Sequence, residues 1–382
     1  MRVLVIGGGV AGFMAALAAV EHGARARLIS RAPGATALYA GGMEITAEIR
    51  EVRALAAAQP YHPLARLGLN EFELVSLLDE VCARLKGALD RVGLPLMGSW
   101  RQTGWFADVH GGVRPAHLVP TTVSPGELTA LQGRRVVVVG ISAVGEYDAL
   151  EVASALEEVG VRAVPVTVGM DLPAGASLTD LFGRPAPTIE EVADAIAFPP
   201  GLEDLPPNGF ELLAAVPSPH GWRLQRALEA ALEAAGVGFA HGEVDGVRTR
   251  GRRVEAVLTA SHELQADRFV LATGRFLGGG LVKDREIREP IFDLGVFYEG
   301  RRVDQGWPLW LQHLESQSPA PAFRAGVLTD ERLRPLDWEG RVAYENLHAA
   351  GSILGGYDYA RGFGFGVPIL TGWLAGRWAA IG

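Results

Sequence analysis

Three glycines near the start of the chain have the spacing of a phosphate-binding turn. Gly7, Gly9 and Gly12 match the pattern G-x-G-x-x-G. In such a turn the first glycine allows a tight bend, the second lets backbone approach a pyrophosphate, and the third lets a helix pack closely on a strand. The N-terminus of that helix then stabilises the phosphate charge. A glycine-rich packing turn without a ligand fits the same pattern. The predicted elements on either side of the glycines distinguish the two interpretations.

The segments around these glycines are typical of a βαβ unit. Val3 to Ile6 is a run of branched apolar residues, which predicts a strand buried on both faces of a parallel sheet. Phe13 to His22 predicts a helix that ends at Gly23. Ala26 to Ile29 then predicts the next strand. A glycine turn between a strand and a helix favours nucleotide binding.

Two later segments also combine a short apolar run with a glycine turn. Phe269 to Gly274 (FVLATG) and Asn346 to Gly356 (NLHAAGSILGG) resemble the second and the final cofactor-contacting segments of two-dinucleotide-binding-domain flavoproteins. For the first of them, an ordinary buried strand is the alternative. A helix near Pro368 to Trp378 would direct its N-terminus at the flavin ring. The residues expected to contact the cofactor in these segments are Ala272, Thr273, Gly274, Gly351, Ser352, Gly355 and Gly356.

The place where a dinucleotide site usually has an acidic residue holds Ser30 and Arg31 instead. An Asp or Glu about 20 residues beyond the glycines normally binds the adenosine ribose. An arginine there either meets a phosphate group or belongs to the solvated surface. FMN, which has no adenosine, is therefore an alternative to FAD, and Ser30 and Arg31 are both candidate cofactor contacts.

Four blocks of the sequence resemble the family of B subunits of anaerobic glycerol-3-phosphate dehydrogenase. They are VIGGGVAGFMAAL near the N-terminus, VVVVGISAVGEYDA at 136–149, ATGRFLGGGLVKDREIREPIFDLGV at 272–296 and GVLTDERLRPLDWEGRVAYENLHAAGSILGGYDYARGFGFGV at 326–367. The resemblance implies an α/β, Rossmann-like two-dinucleotide-binding-domain flavoprotein fold with an inserted second domain. Its cofactor would be a flavin, FMN by this resemblance and FAD as the alternative from the fold.

The resemblance also implies a function within a complex. The chain would be a flavoprotein subunit that passes electrons from glycerol 3-phosphate, a small phosphorylated substrate, towards quinone. Its partners would be an FAD-containing catalytic subunit and an iron–sulfur membrane-anchor subunit, and it would be cytoplasmic, peripheral on the inner membrane through them. Two alternatives stay open: a stand-alone flavin-dependent oxidoreductase of another hydroxy acid or dicarboxylate, and a flavin- or nucleotide-binding scaffold without a redox step.

A group of cationic and polar residues follows the second and third glycine turns. Several cations near one loop suit a phosphate dianion, but acidic residues are interleaved here, so a self-neutralising surface loop is the alternative. The candidates for phosphate or substrate contact are Arg275, Lys283, Arg285, Arg288, Tyr357 and Arg361. Oxidation of an alcohol also needs a base, usually a histidine. Of the nine histidines, only His348 lies in a flavin-contacting block, and a histidine at a strand end is more often structural, so no catalytic base is assigned.

Composition limits the class of protein. The chain has 35 basic and 44 acidic residues and a net charge of −9, which argues against a nucleic-acid surface. Its one cysteine, Cys82, excludes an iron–sulfur cluster with four cysteine ligands inside this chain. No apolar run reaches the length of a membrane helix, about 20 residues.

The length of 382 residues predicts two packed units. A strand, loop and helix expected at 135–160 belong to the second unit, and 171–218 is expected to form loops with short helices. The expected domains are a discontinuous flavin-binding domain at 1–60, 219–296 and 325–382, an inserted substrate, cap or partner-binding domain at 61–218, and a connecting segment at 297–324.

Overall fold

The computed structural model of the chain describes residues 1–45, 52–284, 286–303, 321–358 and 364–382. Arg285 and Arg361, two of the candidate contacts, lie outside these residues. The described helices are α1 (Val10–Glu21), α2 (Val52–Ala58), α3 (Pro63–Arg66), α4 (Glu71–Asp90), α5 (Leu128–Leu131), α6 (Ala149–Glu158), α7 (Pro219–Ala234) and α8 (Gly366–Ile381). Among the described ranges, no helix is both long and apolar enough to cross a membrane.

The strands of the described residues are β1 (Arg2–Ile6), β2 (Arg25–Ser30), β3 (Leu96–Gly98), β4 (Gly104–Ala107), β5 (Val113–Ala116), β6 (Leu118–Pro120), β7 (Arg135–Ile141), β8 (Arg162–Val168), β9 (Ala195–Phe198), β10 (Gly209–Glu211), β11 (Gly238–His241), β12 (Val244–Arg250), β13 (Arg253–Thr259), β14 (Glu263–Gln265), β15 (Arg268–Leu271), β16 (Val282–Lys283), β17 (Ile287–Arg288), β18 (Val296–Tyr298), β19 (Arg301–Arg302), β20 (Gly326–Val327) and β21 (Leu347–Ala349). The chain divides into two compact units. Unit 1 comprises 1–35, 46–88 and 228–382, and unit 2 comprises 36–45 and 89–227.

Unit 1 is built on a five-stranded sheet in the order β11-β2-β1-β15-β21. Every neighbouring pair in this sheet is parallel. The central strand β1 is apolar and buried on both faces, with Val3 to Ile6 at most 3% exposed, as its run of branched side chains predicts. Because all five strands run in one direction, the turns that follow them meet at one edge of the sheet.

Helices α1 and α8 pack on each other through small residues. A Cβ atom on Gly372 would lie 2.4 Å from the carbonyl oxygen of Ala11, and one on Gly376 would lie 2.0 Å from that of Ala15. Only glycine allows this approach of the two backbones, because any side chain would overlap a carbonyl group. The contact fixes α8 beside α1 within unit 1.

Unit 2 is built on a four-stranded parallel sheet in the order β10-β9-β7-β8. Its centre is the apolar strand β7, where Val136 to Val139 are completely buried. Helix α6 follows β7, so the strand, loop and helix predicted at 135–160 are present. Strands β9 and β10 lie at 195–211, in a segment where the sequence predicts only loops and short helices.

The bounds of the two units differ from the expected domains. Residues 61–88, expected in the inserted domain, belong to unit 1. There Arg84 on α4 forms an ion pair with Glu21 (3.2 Å) and lies over the ring of Trp373. Conversely, 36–45 belongs to unit 2, where Met43 pairs with Leu118. In the expected connecting segment, β18 pairs with β19 and β20 as an antiparallel sheet of unit 1.

Candidate cofactor site

The turn after β1 has the geometry that its three glycines predict. Gly7 has a φ of +122°, and a Cβ there would lie 2.2 Å from the carbonyl oxygen of Ala272. A Cβ on Gly12 would lie 2.0 Å from the carbonyl oxygen of Gly7. Glycine is therefore required at Gly7 by the positive φ and the close carbonyl group, and at Gly12 by the close packing of the helix on the turn. The turn after β1 thereby lies directly against the turn after β15.

The N-terminus of α1 follows the glycines Gly7, Gly8 and Gly9 at this edge. Its first flanking residue, Gly9, has no side chain to cap the helix, and the first turn contains no acidic residue. Gly7, Gly8 and Gly9 are partly exposed. The N-terminus of a helix carries a partial positive charge and directs backbone N–H groups outward, which suits a phosphate. This glycine turn therefore fits the phosphate end of a flavin nucleotide.

The turn after β15 brings a second set of predicted residues to the same edge. Thr273 and Gly274 are partly exposed, whereas Ala272 is buried. The Thr273 hydroxyl is buried and has no hydrogen-bond partner among the described residues. Gly274 has a φ of +74°, and a Cβ there would lie 3.5 Å from the Ser352 hydroxyl. The edge thus joins the turns after β1, β15 and β21.

The turn after β21 is hydrogen-bonded to α8 and packs closely on α1. The Gly351 N–H donates to the Thr371 hydroxyl (2.9 Å), and that hydroxyl donates to the carbonyl oxygen of Val367 (2.6 Å). A Cβ on Gly351 would lie 2.6 Å from the Cβ of Ala11. Ser352 is partly exposed at the edge. The start of α8 therefore lies beside the turn after β21, where the sequence predicts it.

Gly355 and Gly356, also predicted to contact the cofactor, are buried against protein backbone. A Cβ on Gly355 would lie 2.9 Å from Gly326 N, and one on Gly356 would lie 2.0 Å from the carbonyl oxygen of Tyr61. Their lack of a side chain is thus explained by close packing inside unit 1. The structure does not bring these two glycines to the exposed edge.

Arg275 is a structural cross-link between two turns. Its side chain is buried and donates to the carbonyl oxygens of Ser352 (2.7 Å), Leu354 (2.6 Å) and Tyr357 (3.3 Å). Its guanidinium also lies 5.4 Å from the centre of the Tyr357 ring. The predicted phosphate contact of Arg275 is therefore replaced by a structural role, because Nε and Nη2 are bound to carbonyl groups. Tyr357 is buried as well.

The remaining cationic candidates lie elsewhere or face solvent. Lys283 and Arg288 are exposed on the two-stranded ladder of β16 and β17. Arg31 follows β2 at the edge, and its guanidinium forms an ion pair with Glu243 (2.7 Å). Ser30 ends β2, and its hydroxyl lies 3.0 Å from the position of a Cβ on Gly8. Of the cations predicted to meet a phosphate, Arg31 lies at this edge of the sheet, with Nη2 3.0 Å from the position of a Cβ on Gly279.

Two buried histidines of unit 1 are held in the neutral form. His348 shares a hydrogen bond of 2.8 Å with the carbonyl oxygen of Arg332, and burial lowers its pKa to about 4. Burial also lowers the pKa of His62 to about 4, with Arg324 adding to the effect. His62 accepts the N–H of Leu64 at the start of α3 (3.2 Å). Its ring lies 5.7 Å from that of Tyr357, a proximity that the sequence does not reveal because 61–218 is expected to form a separate domain.

Comparison with known proteins identifies relatives of the chain. A family described as "FAD binding domain" matches residues 2–166 and 195–364. A protein of Halobacterium salinarum, named as the probable B subunit of an anaerobic glycerol-3-phosphate dehydrogenase, is 32% identical over 436 residues, covering 99% of this chain and 97% of that protein. The chain belongs to this B-subunit family. A family protein of Yersinia pseudotuberculosis is 29% identical, covering 97% of this chain and 95% of its own length.

Similarity to solved structures is more distant. The 3-ketosteroid delta1-dehydrogenase of Sterolibacterium denitrificans, in complex with 1,4-androstadiene-3,17-dione, aligns with 99% of each chain at a TM-score of 0.48 and 13% identity.

The match to the FAD binding domain confirms the predicted flavoprotein fold and the flavin cofactor. The matched residues include the turns after β1, β2, β15 and β21, and the N-terminus of α1, which follows the glycine turn, fits a flavin phosphate. The matched domain is named for FAD. The expectation of FMN stays a prediction.

Proposed function

We propose that this chain is a flavoprotein subunit of an anaerobic-type, quinone-linked glycerol-3-phosphate dehydrogenase, and that it relays electrons from the oxidation of glycerol 3-phosphate towards quinone. The observation that carries the proposal is the similarity to a protein named as this subunit over 99% of the chain. The open glycine edge of unit 1 supports it, because that edge fits a flavin phosphate.

The residues of the edge would bind and orient the cofactor. A bound flavin supplies a group that accepts and releases two electrons. The N-terminus of α1 would hold its phosphate, while Thr273, Gly274 and Ser352 would line the region that leads to α8. The N-terminus of α8 would favour negative charge near the flavin ring. Arg275 would keep the turns after β15 and β21 at a fixed separation through its three carbonyl contacts.

A relay role is favoured over direct oxidation of the substrate. His62 and His348 are buried and neutral, and His348 shares a hydrogen bond with the Arg332 carbonyl, so neither suits the task of accepting a proton from an exposed substrate. We therefore place substrate oxidation in an FAD-containing partner subunit.

An iron–sulfur partner would carry the electrons onward. The only cysteine, Cys82, is buried, and burial raises the pKa of its thiol to about 12, so it does not suit a cluster ligand. The thiolates of a cluster would come from a second, membrane-anchored subunit, which would hold this chain at the cytoplasmic face of the membrane. Attachment through a partner agrees with the lack of a membrane-spanning helix in the described ranges.

Anaerobic mixing tests the relay. The flavin-loaded chain would be mixed with glycerol 3-phosphate, first alone and then with the partner subunits, and its visible absorbance followed. A relay predicts no bleaching with substrate alone, bleaching when the partners are present, and recovery on addition of a quinone. Rapid bleaching by substrate alone would identify a catalytic subunit instead. A bound flavin that no combination reduces would identify a scaffold.

A further inference from the structure

The ends of β2 and β11 lie side by side at the carboxyl edge of the five-stranded sheet. Ser30 is in register with His241, and the Gly242 N–H donates to the Ser30 carbonyl (3.1 Å). Arg31, the first residue after β2, and Glu243, the second residue after β11, are therefore neighbours although 212 positions separate them in the sequence. Glu243 thus lies next to the position where a dinucleotide site usually has its acidic residue.

Arg31 holds the Glu243 carboxylate in place from one side. Its Nη1 lies 2.7 Å from Oε1 of Glu243. On its other side, Nη2 of Arg31 lies 3.0 Å from the position of a Cβ on Gly279, whose φ of +76° also favours glycine. The guanidinium therefore lies between the loop after β11 and the glycines that follow β15. Each carboxylate oxygen accepts more than one hydrogen bond, so the Glu243 side chain, which is 65% exposed, retains capacity for a ligand.

The order of the strands gives the direction in which a bound dinucleotide runs. The glycine turn after β1 lies in the middle of the sheet, with β15 and β21 on one side and β2 and β11 on the other. If the flavin ring lies towards β21 and α8, the adenosine beyond the pyrophosphate extends over β2 and β11. FMN ends at its single phosphate and would not reach that side. Only an adenosine-containing flavin would meet Glu243.

We propose that Glu243, oriented by Arg31, binds the adenosine ribose of FAD and replaces the acidic residue that is missing at the end of β2. Ribose hydroxyls donate to a carboxylate, and such charge-assisted bonds are stronger than neutral ones. Arg31 acts as a positioning residue, since its charge also prevents the carboxylate from repelling the pyrophosphate nearby. The proposal rests on the proposed function only in requiring that a flavin binds at this edge, and it assigns FAD rather than FMN.

A comparison of two flavins tests the assignment. The full-length chain, freed of flavin, would be titrated with FAD and with FMN, and binding followed by flavin fluorescence. For Glu243→Ala we expect the affinity for FAD to fall about tenfold, as for loss of one charge-assisted hydrogen bond, while the affinity for FMN stays within about twofold because FMN makes no contact there.

A matched variant controls for the loss of a surface charge. Glu263 forms a comparable exposed pair with Arg248 (2.8 Å) on the antiparallel strands of the same unit. Glu263→Ala should leave the affinity for both flavins unchanged. Preserved FMN binding in the Glu243 variant would also show that the chain is folded.

Three results would overturn the proposal. The first is unchanged FAD affinity in Glu243→Ala, and the second is an equal loss of FAD and FMN affinity. The third is a wild-type chain that binds FMN as tightly as FAD, which would leave the proposed flavoprotein function intact. A wild-type chain that binds neither flavin would overturn the proposed function together with this inference.

Discussion

The two units contain the same supersecondary structure, but they treat the start of its helix differently. In each, an apolar parallel strand leads through a turn into a helix, β1 to α1 in unit 1 and β7 to α6 in unit 2. Helix α6 is capped by the chain itself, because the side chain of Asp148 accepts the N–H of Leu150 (2.8 Å) and Glu151 lies in the first turn. Helix α1 follows Gly9, receives no side-chain cap from the described residues and has no acidic residue in its first turn.

The difference shows that topology alone does not make a phosphate site. The first N–H groups of a helix need partners, and the positive end of the helix attracts negative charge. Asp148 and Glu151 meet both needs in unit 2, which leaves little to attract an external anion. In unit 1 the first turn of α1 has no acidic residue and Gly9 has no side chain, so its positive end suits an external anion. Matched substitutions in the two units should therefore have unequal consequences.

Replacement of Gly7 should have the greatest consequence. In Gly7→Ala, the new Cβ would lie 2.2 Å from the carbonyl oxygen of Ala272 in a backbone with a φ of +122°. We expect a loss of more than about 3 kcal/mol in the free energy of unfolding and loss of bound flavin. Gly145, in the turn before α6, is the control, since a Cβ there has no atom within 4 Å. Urea denaturation measures the free energy of unfolding, and the flavin content per chain measures cofactor binding. Equal effects in the two variants would show that the two turns do not differ.

Removal of the Arg275 guanidinium should have the second-largest effect. Arg275→Met leaves the carbonyl groups of Ser352, Leu354 and Tyr357 without this donor. We therefore expect a loss of about 3 kcal/mol in the free energy of unfolding and weaker flavin binding. In unit 2, Arg162 donates to the Gly133 carbonyl (2.9 Å) at the exposed surface. Arg162→Met should cost less than about 0.5 kcal/mol. If chemical denaturation gave both variants the same stability, Arg275 would not be a structural cross-link.

Each unit contains a buried glutamate, and the pKa values of the two carboxyl groups are shifted in opposite directions. Burial raises the pKa of Glu289 in unit 1 to about 7, against the opposing hydrogen bonds from Ile291 and Phe292. In unit 2, burial would raise the pKa of Glu211, but His220 and Arg223 outweigh burial and lower it. Arg223 Nη1 lies 2.8 Å from both carboxylate oxygens of Glu211.

Glu289 therefore makes the folded chain less stable as the pH rises. Its carboxyl binds a proton more tightly when folded than in the unfolded chain, where the pKa is near 4.5, so stability falls between about pH 4.5 and about pH 7. Relative to wild type, Glu289→Gln should gain about 3 kcal/mol in the free energy of unfolding across this window. Urea denaturation at several pH values measures the difference. Parallel stability curves for the two proteins would show that Glu289 does not titrate in this window.

Loss of the Asp148 cap should have the mildest consequence. Asp148→Ala removes the acceptor for the Leu150 N–H, which typically costs about 1 kcal/mol. Flavin content should not change, because α6 belongs to unit 2. Thermal denaturation and flavin absorbance check the two parts separately, and a loss of flavin from this variant would show that the two helix ends do not have separate roles.

Local sequence patterns predicted the parts of the fold that depend on neighbouring residues. The glycine spacing at Gly7, Gly9 and Gly12 predicted the turn, because each glycine meets a backbone requirement set within one βαβ unit. The turns after β15 and β21 were also predicted, and the parallel sheet brings both of them to the same edge as the first turn.

Other features depend on contacts that the sequence does not display. Arg275 is of a residue type that often binds phosphate. Its side chain instead donates to carbonyl groups that lie about 80 residues later in the sequence, such as that of Leu354. Helices α3 and α4 lie in the expected inserted domain at 61–218, but α3 and nearly all of α4 belong to unit 1. The pairing of Arg31 with Glu243 depends on the register of β2 and β11. Such contacts are decided by tertiary packing, which local patterns do not encode.

The mass and stoichiometry of the cofactor bound to the gently isolated chain would decide whether the glycine edge of unit 1 is a flavin site. We expect one flavin per chain, lost from Gly7→Ala and retained in Gly145→Ala. A chain that carries no flavin, and that binds none when FAD or FMN is supplied, would contradict this assignment.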